Sequence, residues 1–434
     1  MPPIAESPAR LPRLPLRRAL VATFRSIIRL YFREIERVGE PPPPATRGRV
    51  LVANHQNALI DPILVLTDTD CAISPVAKST LWSIPGLRWV LDNSGAVPIV
   101  RRKDTPDKDA SATAATFEKI ATHLARGGNI LIFPEGTSHS EPHLAPLRSG
   151  AARMLAAAGD HGGRGLTFQS VALEFDARDD FRSRCLVLWG PVRRLDDVPG
   201  TGEPRIDAII AQMDSDLREL LVEGETHDDR LLIARIAELI ASDAGDDSLE
   251  GWNTIGRQVE LASRTLRSLA PQLVEQVRAK VDAYYAELTR LGMRDAQLRA
   301  RPAKPMARWL SRVALAPLAI PGFALYAIPY FIPRLVARTA DPDAVSTIKL
   351  GTALVVYPLW AAGLVWLSFA ALPPPLSFVA AGVALASPFA ALRWLDAWWG
   401  RQPDRVATSD ELAILARLRI AARTAIDDAR AKLA

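Results

Sequence analysis

The chain has 434 residues, 49% hydrophobic and 23% charged, with a net charge of +5. That length implies two or three regions, and the balance excludes both a disordered chain and a polytopic transporter. The positive charge is mostly arginine and shows no basic stripe interleaved with stacking aromatics, so no nucleic-acid partner is read from it. The two cysteines, Cys71 and Cys185, lie far apart in strand-like contexts. They form no metal or redox motif and suit a reducing compartment. The N-terminus lacks an uninterrupted apolar core with a cleavage site, so no signal peptide is expected.

In chain order, residues 1–15 are rich in proline and arginine and read as disordered. Leu16 to Ile35 reads as a helix, with Leu20, Phe24, Ile27, Ile28, Tyr31 and Ile35 on one face and arginines between them. Such a helix either lies in a lipid headgroup layer or covers a globular domain, and the sequence does not choose. Pro41 to Pro44 end it. Strands are expected at Val50–Ala53, Ile73–Ala77, Ala96–Val100, Asn129–Phe133, Gln169–Phe175 and Cys185–Trp189. Helices between them are expected at Asp61–Thr67, Trp82–Leu91, Asp109–Ala125 and Leu147–Ala158. This alternation indicates one α/β domain.

From Glu203 to Leu298 the chain becomes charged and helical, an accessory region. Three uncharged runs follow: Val313–Pro333, Leu350–Leu372 and Leu376–Leu392. About 20 apolar residues cross a hydrocarbon core. The second run is therefore the best crossing candidate, and it pairs with the third, extended by Arg393, Trp394, Trp398 and Trp399, as a hairpin. The flanks Arg334, Arg338, Lys349, Arg393 and Arg401 are basic, which puts them and the α/β domain on the cytoplasmic face. The first run carries Pro317, Pro321, Pro329 and Pro333 and reads as re-entrant. Residues 403–434 read as a polar helical tail.

Three segments carry chemistry. Val50–Ala53 stops abruptly at Asn54-His55, and Asp61 follows six positions after the histidine. A strand end is where α/β folds place reacting groups. A neutral imidazole takes a proton from a hydroxyl near neutral pH, and a carboxylate on its other nitrogen fixes the tautomer. As a bare spacing the pair is common and more often structural. Arg101 and Arg102 end a strand and form a fork for phosphate; alone they read more readily as a solvated strand end. Phe133-Pro134-Glu135-Gly136-Thr137-Ser138 is more distinctive. Glu135, directly after a buried strand, is costly to place unless paired, and Gly136 and Thr137 offer an N–H and a hydroxyl to an oxygen-rich ligand. A metal site finds little support: His139 and His143 are four apart, but Pro142 disfavours a helix through them.

Together these segments resemble the glycerolipid acyltransferases, which include lysophosphatidate and glycerol-3-phosphate acyltransferases. Asn54-His55-Gln56-Asn57-Ala58-Leu59-Ile60-Asp61 corresponds to the family's His-to-Asp motif, with five intervening residues where four are usual. That spacing resembles a subgroup related to fungal glycerol-3-phosphate/dihydroxyacetone-phosphate acyltransferases. Gly95 to Arg101 corresponds to the second motif, and Phe133 to Ser138 to the third. Ser170-Val171-Ala172-Leu173 matches the fourth loosely, and Leu147-Arg148-Ser149-Gly150 resembles the family's Leu-Lys-x-Gly. The resemblance covers residues 48 to 195. It implies an α/β fold with a mixed sheet flanked by helices, with the accessory helices and the hydrophobic membrane region outside it.

The expected organisation is an N-terminal basic helix and linker (1–47), the acyltransferase domain (48–202) and the accessory region (203–300). A membrane region (301–402) and the tail (403–434) complete it. The resemblance further implies transfer of an acyl group from acyl-CoA or acyl-carrier protein, as donor substrate and without a cofactor. The acceptor would be a lysophospholipid or a glycerol phosphate in the membrane. His55 would be the general base and Asp61 its orienter, with no acyl-enzyme. Arg101 would hold the acceptor phosphate, and Asn54, Glu135, Gly136 and Thr137 would line the acceptor site. Two rival readings are a serine hydrolase or thioesterase, which lacks its Gly-x-Ser-x-Gly elbow here, and a non-catalytic lipid-binding adaptor.

Overall fold

In the computed structural model, placement is described for residues 14–43, 47–100, 110–295, 298, 305–342, 344–398 and 407–433. The readings made for residues 1–13, Arg101, Arg102, Trp399 and Arg401 fall outside these. The chain divides into two compact units, Met1–Leu221 and Val222–Ala434.

The first unit begins with helix α1, Leu14–Tyr31. It continues through β1 (Glu34–Val38), β2 (Arg49–Ala53), α2 (Ile60–Thr67) and β3 (Ile73–Lys78). After a short 3-10 turn come α3 (Leu87–Ser94), β4 (Val97–Ile99), α4 (Ala110–Ala125) and β5 (Asn129–Ile132). The unit closes with α5 (Gly150–Asp160), β6 (Thr167–Phe175), β7 (Arg184–Arg194) and α6 (Gly202–Arg218). Seven strands form one sheet in the order β1-β7-β6-β2-β5-β3-β4. All neighbours are parallel except β6 and β7, so the sheet is mixed, as expected. Central strand β2 is buried along its whole length, which is why it reads as a continuous apolar run. Val50, Val52, Ile130 and Phe168 pack with Ile120 and Leu124 of α4 and with Ala151 and Leu155 of α5.

Three features differ from the sequence reading. The first helix ends at Tyr31, and Ile35 sits in β1, paired parallel to β7. The stop has a cause in Arg182, held at φ +66°. Its guanidinium donates to the carbonyl oxygens of Arg29, Leu30 and Phe32, occupying acceptors that a further turn would need. Second, Leu20, Ile28 and Tyr31 of α1 are buried, and α1 packs on α2 and α3. Arg17 donates to the carbonyls of Ser94 and Ile73, and Arg25 to that of Thr67. The packing therefore uses α1 as a covering helix. Third, α6 was read into the accessory region, but its Ile206, Ile209 and Met213 belong to the core against the sheet.

The second unit contains α7 (His227–Ala244), α8 (Leu249–Leu269) and α9 (Pro271–Arg290). It also contains three apolar helices, α10 (Pro305–Val336), α11 (Val345–Ala371) and α12 (Leu376–Trp398), and then α13 (Ser409–Ala431). Leu415, Ala422 and Ile426 of α13 share a core with Leu232, Leu239, Val281 and Tyr284, so the polar tail is the last helix of a bundle. Segments Val313–Thr339, Val345–Ala371 and Leu376–Asp396 are long and apolar enough to cross a membrane. The first of them is one continuous helix despite its four prolines, where a re-entrant turn was expected. In apolar surroundings neighbouring helices and local adjustments accommodate prolines that would break a solvated helix.

Candidate active site

Strands β2 and β5 are parallel, with Val52 opposite Ile132. β5 ends at that pair and β2 one residue later, and three residues on the same offset carries His55 to the level of Glu135. The two motifs, 80 residues apart, meet because adjacent strands finish at the same edge. The main-chain N–H of His55 donates to Glu135 Oε1 at 2.7 Å, and the N–H of His139 donates to the carbonyl of His55 at 3.1 Å.

His55 and Asp61 are in contact, Nδ1 to Oδ2, at 2.9 Å. The five-residue spacing closes through a bend at Ala58, φ +24°, which delivers Asp61 to the first turn of α2. The same oxygen accepts the N–H groups of Gln56 at 2.8 Å and Asn57 at 2.7 Å. Asp61 is fully buried. An ionised carboxylate only accepts, so Nδ1 carries the proton and donates it, leaving Nε2 as the basic nitrogen. The His55 ring stacks on Phe133, centroids 4.1 Å apart, with its side chain 16% exposed. The imidazole is thus fixed in tautomer and plane and keeps one accessible edge.

Asn54 and Glu135 are turned into the fold. Asn54 donates to the carbonyl of Leu173 and accepts its N–H, extending the pairing of β2 with β6 by one side chain. Glu135 is 4% exposed. Its Oε2 takes the N–H of Ala145 at 2.9 Å and contacts Nε2 of His139. Because His139 Nδ1 accepts the N–H of Glu141, its Nε2 carries a hydrogen for Glu135. Glu135 therefore braces the His55 segment against its own loop. Gly136 has φ +78°, and a Cβ there would stand 2.6 Å from Nε of Arg148. Only glycine serves both the left-handed turn and the close approach. Thr137 beside it is exposed.

The structure thus brings Asn54, His55, Asp61, Glu135, Gly136 and Thr137 together, while Arg101 lies outside the described residues. Two residues join that sequence reasoning did not place. Arg178, after β6, donates to the carbonyl of Gln56 at 3.3 Å and to Ser140 Oγ at 3.1 Å, tying both motif loops. A lone arginine in Ala-Arg-Asp-Asp carries no signal. Arg148 was visible only as part of Leu-Arg-Ser-Gly.

Residues 33–174 match the family model described as Acyltransferase, and this part of the chain is an acyltransferase-family domain. The chain is 26% identical over 117 residues to the chloroplastic 1-acyl-sn-glycerol-3-phosphate acyltransferase of Brassica napus, covering 27% of this chain and 32% of that protein. It is 36% identical over 76 residues to glycerol-3-phosphate O-acyltransferase 2 of Saccharomyces cerevisiae, covering 17% of this chain and 10% of the yeast protein. The chain spans about a third of the length of the plant relative it matches. Among solved structures, the 1-acyl-sn-glycerophosphate acyltransferase of Thermotoga maritima superposes with TM-score 0.35 at 15% identity, over 48% of this chain and 83% of that one.

Proposed function

We propose that the protein moves a fatty acyl group from a thioester donor, acyl-CoA or acyl-carrier protein, to the hydroxyl of a lysophospholipid or glycerol phosphate. The observation that carries this is the His55 Nδ1 to Asp61 Oδ2 contact at 2.9 Å, set within the motif framework of the acyltransferase-family domain. Nε2 of His55 takes the proton from the acceptor hydroxyl as its oxygen attacks the thioester carbonyl. Asp61 stabilises the imidazolium that forms. The tetrahedral intermediate collapses, the carbon–sulfur bond breaks, and the proton passes from Nε2 to the departing thiolate. An ester and a free thiol result, and His55 is regenerated. Arg148, lying across Gly136, and Arg101 supply cations for the acceptor phosphate, with Thr137 at the rim. Asn54 and Glu135 hold the frame. Membrane helices keep the domain beside a lipid acceptor, on the cytoplasmic face by the basic flanks.

The test is acyl transfer by purified protein in detergent, from labelled donor thioesters to a panel of glycerol-3-phosphate, dihydroxyacetone phosphate and lysophospholipids. His55→Ala is expected to lower kcat on the order of a hundred- to ten-thousand-fold. Asp61→Asn is expected to lower kcat with little change in acceptor KM. Full activity in His55→Ala, or turnover without an ester product, would sink the proposal.

A further inference from the structure

The proposed reaction gives no part to the second histidine of the site. His139 lies in the loop after β5, four residues beyond Glu135, with its side chain 14% exposed. Both ring nitrogens are engaged inside the fold. Nε2 donates to Glu135 Oε2, and Nδ1 accepts the N–H of Glu141 at 3.2 Å. The ring is therefore not a second base. What it holds is the main chain of the first one. His55 and Gln56 lie past the last paired residues of β2, where the sheet no longer satisfies their backbone, and an unpaired group there is costly. Each of their four main-chain groups has a partner outside the ladder. The His55 N–H goes to Glu135 Oε1 at 2.7 Å and the Gln56 N–H to Asp61 Oδ2 at 2.8 Å. The His55 carbonyl accepts the N–H of His139 at 3.1 Å, and the Gln56 carbonyl accepts the Arg178 guanidinium at 3.3 Å. His139 governs both of the groups that belong to His55. Its own N–H holds the carbonyl, and its ring holds the carboxylate that takes the N–H. The three bonds close a circuit from His55 through Glu135 and His139 back to His55.

Asp61 and Phe133 set the tautomer and the plane of the His55 ring. The height of that ring above the sheet edge depends on the main chain that carries it. A carboxylate is a rigid fork, so whatever turns Oε2 of Glu135 also moves Oε1. Without the His139 ring, Oε2 keeps only the Ala145 N–H among the described residues, and the fork is free to turn. We propose that His139 is a positioning residue for the reaction. Through its circuit with Glu135 it sets where His55 stands, and so the distance from Nε2 to the acceptor hydroxyl. A misplacement of about 1 Å in such a group costs on the order of a hundredfold in rate. The catalytic consequence rests on the proposed acyl transfer, whereas the hold on the His55 ring does not.

Two substitutions separate the functions of the ring. His139→Gln keeps a donor at the reach of Nε2 and loses the acceptor for Glu141. His139→Asn keeps an acceptor near the place of Nδ1 and loses the donor to Glu135. With the full chain in detergent and the substrate panel above, His139→Asn is expected to lower kcat about ten- to a hundredfold. Both KM values should stay within about twofold, and His139→Gln should recover kcat to within about threefold of the native protein. A second measurement needs no turnover: carbethoxylation of His55 by diethyl pyrocarbonate, mapped by peptide mass spectrometry. His55 is expected to react roughly threefold faster in His139→Asn, as its segment opens, and at the native rate in His139→Gln. His161, with its side chain 32% exposed, should react equally in all three. Rescue by Asn rather than Gln would mean that the ring only shapes its own loop, and overturns the assignment. A raised acceptor KM at unchanged kcat would mean that His139 touches the acceptor, and also overturns it. Should His139→Asn not fold, a loss of kcat in His139→Gln as large as that expected of Asn does the same. If the native protein transfers no acyl group to any acceptor, the reading of the reaction fails and carbethoxylation decides alone. Equal His55 labelling in the native protein and His139→Asn then overturns the circuit.

Discussion

His123 shows how one side chain sets a condition on the first unit. Its ring is half-buried on α4 against Gly128, where a Cβ would stand 2.2 Å from Nε2. Burial, and then the nearby positive charge of Arg17, hold its imidazole below the ordinary value of 6.5. In the unfolded chain it titrates at that ordinary value. Below it, the unfolded state takes up a proton that the folded state resists. The stability that His123 contributes is therefore complete above about 6.5 and is lost as pH falls toward the depressed value. His123→Gln is expected to flatten the fall in the urea midpoint between about pH 7 and 5, and an unchanged slope would contradict this. At this scale the sequence was legible where a residue's chemistry is rare at its position. Glu135 after a buried strand had to be paired, and it is. The identity of the partners was not legible, because the His55 N–H and His139 reach Glu135 only through strand register and a loop. Arg178 and Arg148 were missed for the same reason.

Helices and strands were read well where periodicity and neighbours agree. The β2 and β5 runs were apparent because nearly every position in them is buried. Glu34 and Ile35, which open β1 (Glu-Ile-Glu-Arg-Val), were read as the end of a helix. Alternating charge fits either period over so short a span, and it is the open edge of β7 together with the Arg182 cap that selects strand. Proline misled at α10, where local rules written for water overrode the apolar setting. The packing there makes its own demand. A Cβ on Gly322 would stand 2.3 Å from the carbonyl oxygen of Ser387 and 3.0 Å from Cβ of Ala391, so α10 and α12 approach with backbone nearly touching. Gly322→Val is expected to part the two helices and break the Tyr326 bond to the carbonyl of Ala384. A lower unfolding temperature in detergent would report it, and an unchanged one would contradict the packing.

Over the whole molecule, the two compact units do not coincide with the change in sequence character near residue 203. An amphipathic, charge-rich helix carries no address for the surface it covers, so α6 could not be assigned to the sheet from its own residues. Nor could α13 be assigned to the accessory bundle. Its Arg419 donates from Nε to Asp295 at 2.7 Å and from the fork to Asp243 at 2.8 Å. Burial alone would raise the Asp295 carboxyl. Hydrogen bonds from Arg419, Ser242 and Tyr284 outweigh that and hold it below the ordinary value of 3.8. Its contribution is therefore present above that value and lost as pH falls below it. Arg419→Met leaves this fully buried carboxylate without its cation. It is expected to cost the second unit about 3 kcal/mol, read from the denaturant midpoint of its helical signal.

Direct attack of the acceptor hydroxyl on the donor thioester, with His55 as the base, constrains kinetic order as well as chemistry. Nδ1 of His55 is committed to Asp61, so the proton arriving from one substrate and the proton leaving with the other pass through the same nitrogen. Under the proposed reaction both substrates must occupy the enzyme together before product departs. Initial rates measured across a grid of donor and acceptor concentrations should give double-reciprocal lines that intersect. Donor alone should release no stoichiometric burst of thiol. Parallel lines with a burst would point to a stored acyl group, and to a nucleophile other than His55.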